Sequence, residues 1–393
     1  MVYPTKIKVV FSERTCDVDS LPGELLCESL RRHRIPLGAV HIELHNPQGV
    51  QPLMGHERLE NLDGRVVATV NRNIRLFDVI SATTSIAHTE DAVTSYLTLN
   101  GHTDNPFDGT LIELSEPDIQ RIAIQAVKST VAESFQQIQE RNVLVGFSGG
   151  GDSNLLLTAI SQSGLFSPDY IVPAMILGIP DWDQQLKQAQ DLSTQLGFSL
   201  HVIDERQSAL IAGIDAIPNA LSRFEKEFPS TSIEFFGTWL LRRVLARLSD
   251  NYKAYCVFLG GNREDTLAEA LYCLTNGLQP LPFPVRTIGD TIFINPLYML
   301  PKRVVDAAYP DYSGANYRSR SQSADIGRTS YYYIAHILQE YLPGFDISLM
   351  NGMQRLTKND QFVWDEQLKD FIHKDASKPL RNKWLNVIKG YKT

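Results

Sequence analysis

The segment VLVGFSGGGDSNLLLTAI, residues 143–160, places three consecutive glycines between two apolar runs. NVLVGF, which leads into the glycines, has the continuous apolar character of a buried strand, and DSNLLLTAI has the pattern of a helix that begins at a capping aspartate. The segment therefore predicts a loop that joins the carboxyl end of a strand to the amino end of a helix. Free N–H groups and the positive end of the helix dipole meet at such a junction, which favours an anion.

The residues of the loop suit close contact between the backbone and a phosphate. Glycine adopts positive φ without strain, and its amide stays open to phosphate oxygens because it has no Cβ. Ser148 and Ser153 add hydroxyl donors, and Asp152 can cap the helix or help to hold Mg²⁺. Two familiar phosphate loops are excluded: the lysine of G-x-x-x-x-G-K-[ST] is missing, and Asn154 stands where G-x-G-x-x-G needs its third glycine.

The pattern that remains, Ser-Gly-Gly-Gly-Asp-Ser, resembles the SGGxDS loop of the N-type ATP pyrophosphatases, the PP-loop superfamily. The resemblance implies that the loop binds ATP phosphates through Ser148, Gly149, Gly150, Gly151, Asp152 and Ser153. It also implies that the end of the second strand contacts adenine through its main chain, here at Ile176 and Leu177 of AMILG.

A second stretch, FLGGNREDTLAEALYCLTNG at 258–277, resembles the H-x-x-D-D-x-A-E-T pattern of tRNA lysidine synthetases and tRNA thiolation enzymes. Asp265 matches the first aspartate, whereas Thr266 replaces the second and Asn262 replaces the histidine. The resemblance implies that Asp265 positions metal or substrate, so Asp152 and Asp265 are the expected Mg²⁺ ligands. The alternative is that Asp265 caps its own helix.

The superfamily resemblance also implies a reaction. An oxygen of a nucleobase, a tRNA or a small metabolite attacks the α phosphorus of ATP, pyrophosphate leaves, and a nitrogen or sulfur nucleophile then displaces AMP. INPLYMLPKRVVDAAY at 294–309 resembles a further family segment and contributes Lys302 and Arg303 as cations that neutralise phosphate charge. Asp152, Asp265, Lys302 and Arg303 are therefore the expected catalytic residues.

The cysteines bear on the choice of nucleophile. Cys16, Cys27, Cys256 and Cys273 form no CxxC pair, which favours nitrogen chemistry, an amidation or amine ligation. An ATP-dependent sulfurtransferase remains the first alternative. The second is a nucleotide-binding subunit of a multiprotein defence or regulatory assembly.

The pattern along the chain predicts an α/β fold with more than one domain. Strands and helices alternate over 116–310, which predicts a PP-loop (HUP-like) domain whose parallel sheet is covered by helices on both faces. We expect a β-grasp (ubiquitin-like) α+β module at 1–80, a polar connector at 81–115 and a mostly helical region at 311–393. The N-terminal module is a candidate docking site for a protein partner.

Composition sets broad limits. The 393 residues are 43% hydrophobic and 21% charged with a net charge of −8, which is ordinary globular composition without a field that gathers nucleic acid. No stretch reaches the roughly 20 apolar residues of a membrane span, so we expect no membrane partner and a cytoplasmic location. The acceptor, a small molecule or RNA, stays unidentified at this stage.

Overall fold

The N-terminal region forms a five-stranded mixed sheet. The computed structural model describes residues 6–388 apart from 12–13, 34, 36–39, 54–56, 71–93, 100–108, 133–137, 139, 180–181, 230, 232, 310–325, 342–344 and 358–360. The first elements are β1 (Lys6–Phe11), β2 (Arg14–Asp19), α1 (Leu26–Arg32), β3 (Val40–Asn46), β4 (Gly49–Leu53) and β5 (Arg65–Val70). The strand order is β2-β1-β5-β3-β4, with β1 and β5 parallel and the other pairs antiparallel.

Alternating apolar residues of this sheet face α1. Ile7, Val66 and Ala68 are fully buried against Leu26 and Leu30 of the helix. In this mixed sheet the first and last strands, β1 and β5, lie parallel at the centre, and one helix packs on the sheet. This is the arrangement of the β-grasp-like domain that the sequence predicts.

The predicted polar connector contains a β-hairpin. Strands β6 (Thr94–Leu99) and β7 (Gly109–Leu114) pair antiparallel, with Thr94 opposite Leu114. The connector expected at 81–115 thus includes regular structure, because TSYLTL and GTLIEL carry β-branched and apolar residues that favour strands. The rest of the connector, 81–93 and 100–108, lies outside the described residues.

The central sheet has six strands in the order β10-β9-β8-β11-β13-β12. They are β8 (Val143–Gly146), β9 (Ile171–Ile176), β10 (His201–Ile203), β11 (Cys256–Phe258), β12 (Val285–Ile288) and β13 (Thr291–Ile294). All neighbours are parallel except β12 and β13, which form an antiparallel hairpin at one edge. The chain runs outward from β8 to β9 and β10, then returns to the other side of β8 with β11. In a doubly wound sheet, ligands bind at the carboxyl ends of the strands beside this change of direction.

Helices cover both faces of the central sheet, as the sequence predicts. They are α2 (Glu116–Val131), α3 (Gly151–Gln162), α4 (Leu186–Gln195), α5 (Glu205–Ala212), α6 (Ile217–Glu227), α7 (Ile233–Tyr252), α8 (Arg263–Thr275) and α9 (Lys302–Ala308). One core lies between the sheet and α2, α3 and α9, where Leu155, Leu156 and Val304 are fully buried. The other lies beneath α5, α6 and α7, around Phe224 and Phe236.

The C-terminal region is helical but includes a hairpin that the sequence does not reveal. Helices α10 (Ile326–Tyr341) and α11 (Phe345–Leu356) precede strands β14 (Phe362–Asp365) and β15 (Asp370–His373), and α12 (Lys378–Ile388) ends the described chain. Trp384 of α12 stacks on Trp239 of α7, with ring centroids 5.3 Å apart, which ties the region to the central domain. No helix in the described ranges combines the length and apolar character of a membrane span.

Candidate functional site

The glycine loop lies at the carboxyl end of β8, as predicted, and turns directly into α3. Gly149 has φ +75°, and a Cβ at this position would lie 3.0 Å from the backbone oxygen of Gln185 and 3.1 Å from the backbone nitrogen of Ala189. The start of α4 thus packs so closely on the loop that only glycine fits here. Gln188 also donates a hydrogen bond of 2.6 Å from Nε2 to the Gly149 carbonyl oxygen, which fixes the loop from the α4 side.

The amino end of α3 has no side-chain cap. Gly150 is the N-cap residue, and the first backbone turn closes with the Asn154 amide donating to the Gly150 oxygen at 3.0 Å. The Ser148 and Ser153 hydroxyl oxygens lie 3.3 Å apart, and both residues line a cavity together with Gly150 and Asp152. Uncapped amides at a helix amino end, beside two hydroxyls, form a site that suits an anion.

Asp152 is held by two donors from distant parts of the chain. Asn262 Nδ2 donates to Asp152 Oδ1 at 2.9 Å, and Lys302 Nζ donates to Asp152 Oδ2 at 2.9 Å. Lys302 Nζ also contacts Asp306 Oδ1 at 2.5 Å. Burial alone would lower the pKa of the Lys302 amine, but the Asp152 and Asp306 carboxylates outweigh it and raise that pKa. Lys302 is therefore a permanent cation at the end of the loop.

Asp265 lies on the same cavity but is engaged in capping. Asn262 Oδ1 accepts from the Asp265 amide at 3.0 Å, and Asp265 Oδ2 accepts from the Asn262 amide at 3.1 Å, so the two residues form a capping box on α8. Tyr332 donates its hydroxyl to Asp265 Oδ1 at 2.5 Å. Asn262 thus connects Asp152 to Asp265. The sequence did not suggest this link, because there Asn262 is only the residue that replaces the histidine of the H-x-x-D-D-x-A-E-T pattern.

The structure brings Lys302 into the cavity and leaves Arg303 away from it. Lys302 is the first residue of α9, and Asp306, four residues later, lies on the same face of the helix. The next residue, Arg303, points about 100° around the helix, so it does not line the cavity with Lys302. Its role beside the phosphates stays a prediction. The Lys302 amide donates to Glu264 Oε2 at 2.8 Å, which fixes the start of α9, and burial raises the pKa of Glu264.

The end of β9 forms another part of the wall. Ala174, Met175 and Ile176 line the cavity, whereas Leu177 does not, and its amide already donates to the Ile203 oxygen at 2.9 Å. Sequence reasoning missed Trp182, which also lines this part of the cavity. Its ring lies over Gly237 of α7, where a Cβ would approach Trp182 Cη2 to 3.1 Å.

The cavity measures about 630 Å³ and extends well beyond the glycine loop. From the loop it continues between α7 and α8 to the edge hairpin β12–β13, the C-terminal hairpin β14–β15 and α12. Its far wall carries aromatic residues: Phe235, Trp239, Tyr272, Phe371 and Trp384. Among the described residues, no group of three or more His, Cys, Asp or Glu side chains is arranged to hold a metal ion by itself.

Comparisons with known proteins give similarity at the level of the fold. No protein-family model and no curated protein matches the sequence. Among solved structures, the chain resembles the U34-tRNA thiolase NcsA from Methanococcus maripaludis, described with its [4Fe-4S] cluster, at 17% identity and a TM-score of 0.47, covering 62% of this chain and 80% of that one.

Two NAD synthetases are also similar. The NH3-dependent enzyme from Campylobacter jejuni has 18% identity and a TM-score of 0.34, covering 62% of this chain and 94% of that one. The enzyme from Burkholderia pseudomallei has 15% identity and a TM-score of 0.35, covering 62% and 87%. The fold of this chain is a doubly wound α/β sheet with an SGGGDS loop at its centre, which is the arrangement that the resemblance to the PP-loop superfamily implies.

Proposed function

We propose that this chain is an ATP-dependent enzyme that forms AMP and pyrophosphate, and that it activates a carbonyl-type oxygen of its acceptor for replacement by nitrogen. The main support is the junction at α3, where uncapped amides and two serine hydroxyls share a cavity with the buried cation Lys302. This junction lies at the carboxyl end of β8, one of the two strands that flank the change of direction in the sheet.

The residues present fit a triphosphate. The amides of α3 and the Ser148 hydroxyl offer donors at the amino end of a helix, and the charged Lys302 amine lies beside them. The Ser153 hydroxyl donates to the Gly150 oxygen at 3.0 Å and can rotate toward a phosphate. The exposed end of β9 at Ala174 to Ile176 lies beside the loop and suits the adenosine part.

The residues also fit Mg²⁺ held in part by phosphate. Mg²⁺ is usually bound through one or two carboxylates with phosphate oxygens and water. Each carboxylate oxygen has more than one lone pair, so Asp152 can accept from Asn262 and Lys302 and still bind a metal. Asp265 is the weaker candidate because both its oxygens serve the capping box and Tyr332. When bound, the metal would neutralise charge on the phosphates.

We infer that this chain contributes positioning and charge neutralisation. The acceptor oxygen bonds to the α phosphorus while the bond to the α–β bridging oxygen breaks, and pyrophosphate leaves with that electron pair. Lys302, which Asp152 and Asp306 hold beside the loop, is the cation that we propose acts on the phosphates. A nitrogen nucleophile then attacks the activated carbon and AMP departs, while the extra proton passes to solvent.

The position of the cysteines supports nitrogen over sulfur as the nucleophile. None of the four cysteines lines the cavity, and Cys27, Cys256 and Cys273 are buried. Burial raises the pKa of Cys273 to about 12 and that of Cys256 further, so both remain protonated thiols. Among the described residues, no cysteine lines the cavity wall, so the thiolates that usually hold an iron–sulfur cluster are missing from it.

The experiment is to measure pyrophosphate release from ATP with ammonium and a cell-extract fraction of small molecules and RNA. Ser153→Ala removes a hydroxyl at the loop, whereas Ser161→Ala, on the same helix but outside the cavity, is the matched control. We expect Ser153→Ala to lose about tenfold or more in rate, as for a charge-assisted hydrogen bond, and Ser161→Ala to stay near wild type. Equal rates in the two variants would contradict the proposal.

Two outcomes point to the alternatives. Loss of turnover in a folded Cys273→Ser variant would favour sulfur transfer. Tight ATP binding without AMP, whatever fraction is added, would favour a nucleotide-binding subunit, with the N-terminal module as the proposed docking site for its protein partner.

A further inference from the structure

We propose that the far half of the cavity, walled by α7, α8, the C-terminal hairpin β14–β15 and α12, is the acceptor subsite and that it takes a planar aromatic ring. The inference rests on the proposed function, because it concerns the second substrate of the same cavity.

The cavity has a β9 end and an α8 end, and α7 borders both, because Trp182 lies over Gly237 between Phe235 and Trp239. β9 with Trp182 lies on one side of β8, and β11 with α8 lies on the other. If adenosine occupies the β9 side, the α phosphate lies between the two ends. An acceptor that attacks the α phosphorus then has to approach from the side of α8.

Two helices carry the cavity wall away from the loop. On α8, Asp265, Ala268 and Tyr272 follow one another at helical spacing and all line the cavity. Tyr272 therefore lies about 10 Å along the helix from Asp265, at 1.5 Å per residue. On α7, Phe235 and Trp239 repeat the same spacing. The wall changes from polar near the loop to aromatic at its far end.

The aromatic side chains retain surface toward the cavity. Phe235, Tyr272 and Phe371 are only partly buried, unlike the core residues Phe224 and Phe236. The Phe235 and Tyr272 rings form a corner, with centroids 5.3 Å apart and planes at 45°. Such faces bind a planar ring by stacking and edge contacts.

The position of Phe371 is fixed by a glycine. Gly289, in the turn between β12 and β13, has φ +62°, and a Cβ there would lie 2.2 Å from Phe371 Cε2. The ring thus rests directly on the backbone of that turn. This close contact brings β15 against the edge of the central sheet and completes the wall.

The charged side chains of this wall already have partners. Arg286 forms a two-pronged ion pair with Glu269, and Asp370 Oδ2 lies 3.0 Å from both Arg242 and Arg243. Arg381 pairs with Asp365 in the same hairpin. Four arginines and three carboxylates leave this wall with one net positive charge, and each of these groups has an ion-pair partner within the protein. On the aromatic part of the wall, burial of a ring is the main contribution to binding that we infer.

The test is equilibrium binding by calorimetry, with α,β-methylene-ATP present so that no turnover is needed. The probes are cytosine, uracil, hypoxanthine and nicotinamide as aromatic rings, with glutamine and acetamide as non-aromatic amides. The variants are Tyr272→Ala, the conservative Tyr272→Phe, and Tyr170→Ala as a control outside the cavity.

We expect at least one aromatic probe to bind, with a dissociation constant raised about tenfold in Tyr272→Ala and little changed in the other two variants. Retained binding of α,β-methylene-ATP and an unchanged melting temperature show that the Tyr272→Ala protein is folded. If Tyr272→Ala does not fold, Phe371→Leu is tested in its place. The inference is overturned if no aromatic probe binds, if the non-aromatic amides bind equally well, or if Tyr272→Ala has no effect. Because no turnover is measured, this result is independent of whether pyrophosphate is released.

Discussion

The buried amine of Lys302 is held by two carboxylates. It lies between Asp152 and Asp306, and Asp306 is 1% exposed. A buried carboxylate that loses its cation keeps the cost of desolvation without the compensating attraction.

We predict that Lys302→Met destabilises the protein by about 3 kcal/mol, a typical cost of removing one partner of a buried ion pair. The double variant Lys302→Met/Asp306→Asn recovers part of that loss because it removes the stranded charge. Urea unfolding of the wild type and both variants measures the difference. A double variant no more stable than the single one would contradict this account of the pair.

The position of the glycine loop could be predicted from the sequence because it depends on local features. Residues 148–153 lie between a strand and a helix, and both elements can be recognised in one short stretch. The partnership of Asp152 with Lys302 joins residues 150 positions apart, so only the folded chain shows it. Which of Lys302 and Arg303 lines the cavity depends on where α9 begins. Sequence patterns predict the ends of a helix less reliably than its presence.

At the scale of elements, the site depends on how closely the β11 loop approaches the start of α3. A Cβ at Gly260 would lie 3.0 Å from the Asp152 carbonyl carbon and 3.1 Å from the Ser153 nitrogen. Both contacts are with backbone, which cannot move aside as a flexible side chain does.

We therefore predict that Gly260→Ala weakens ATP binding about tenfold, because overpacking of this kind costs on the order of 1–3 kcal/mol. Gly352→Ala is the matched control, since a Cβ at Gly352 meets nothing within 4 Å. Calorimetric titration with ATP measures both variants. Wild-type affinity in Gly260→Ala would show that the loop tolerates displacement.

The turn before α1 gives a pH-dependent prediction. Glu24 accepts from Arg32 Nε at 2.9 Å, and this bond is the main reason why the pKa of Glu24 is lowered to about 2. A carboxylate whose pKa is lower in the folded state stabilises the fold above its unfolded pKa, near 4.5, and the contribution is lost as the pH falls toward 2.

Glu24→Gln is thus expected to lower the melting temperature at pH 7 and to have progressively less effect between pH 4.5 and pH 2. Thermal melts of both proteins across this range check it. A difference that stays constant with pH would mean that Glu24 acts through packing and not through its charge.

The elements that the sequence missed are stabilised by distant contacts. The hairpin β14–β15 is short, and Asp370 fixes it to α7 through Arg242 and Arg243, more than 120 residues earlier in the chain. The wall that Phe371 and Trp384 contribute follows from that attachment. The alternation of strands and helices along the sequence was enough to predict the central sheet. No local sequence pattern shows that the C-terminal region packs over the carboxyl ends of the strands in that sheet.

At the scale of the whole molecule, one cavity connects the centre of the α/β sheet with the C-terminal region. The glycine loop lies at the middle of the sheet, the end of β9 lies on one side, and α8 with the C-terminal hairpin lies on the other. In the proposed function, the nucleotide and the acceptor bind on either side of the α phosphate. Residues after 345 complete the wall of this cavity, since Phe362, Phe371 and Trp384 line it.

Cleavage of ATP at the α–β bond is the property on which the account depends. The direct measurement is to incubate the protein with [α-³²P]ATP, ammonium and the extract fraction, and to separate the labelled nucleotides. We predict label in AMP with an equal amount of pyrophosphate, and neither product from Asp152→Ala. Label in ADP with orthophosphate, or AMP formation that survives Asp152→Ala, would contradict the account.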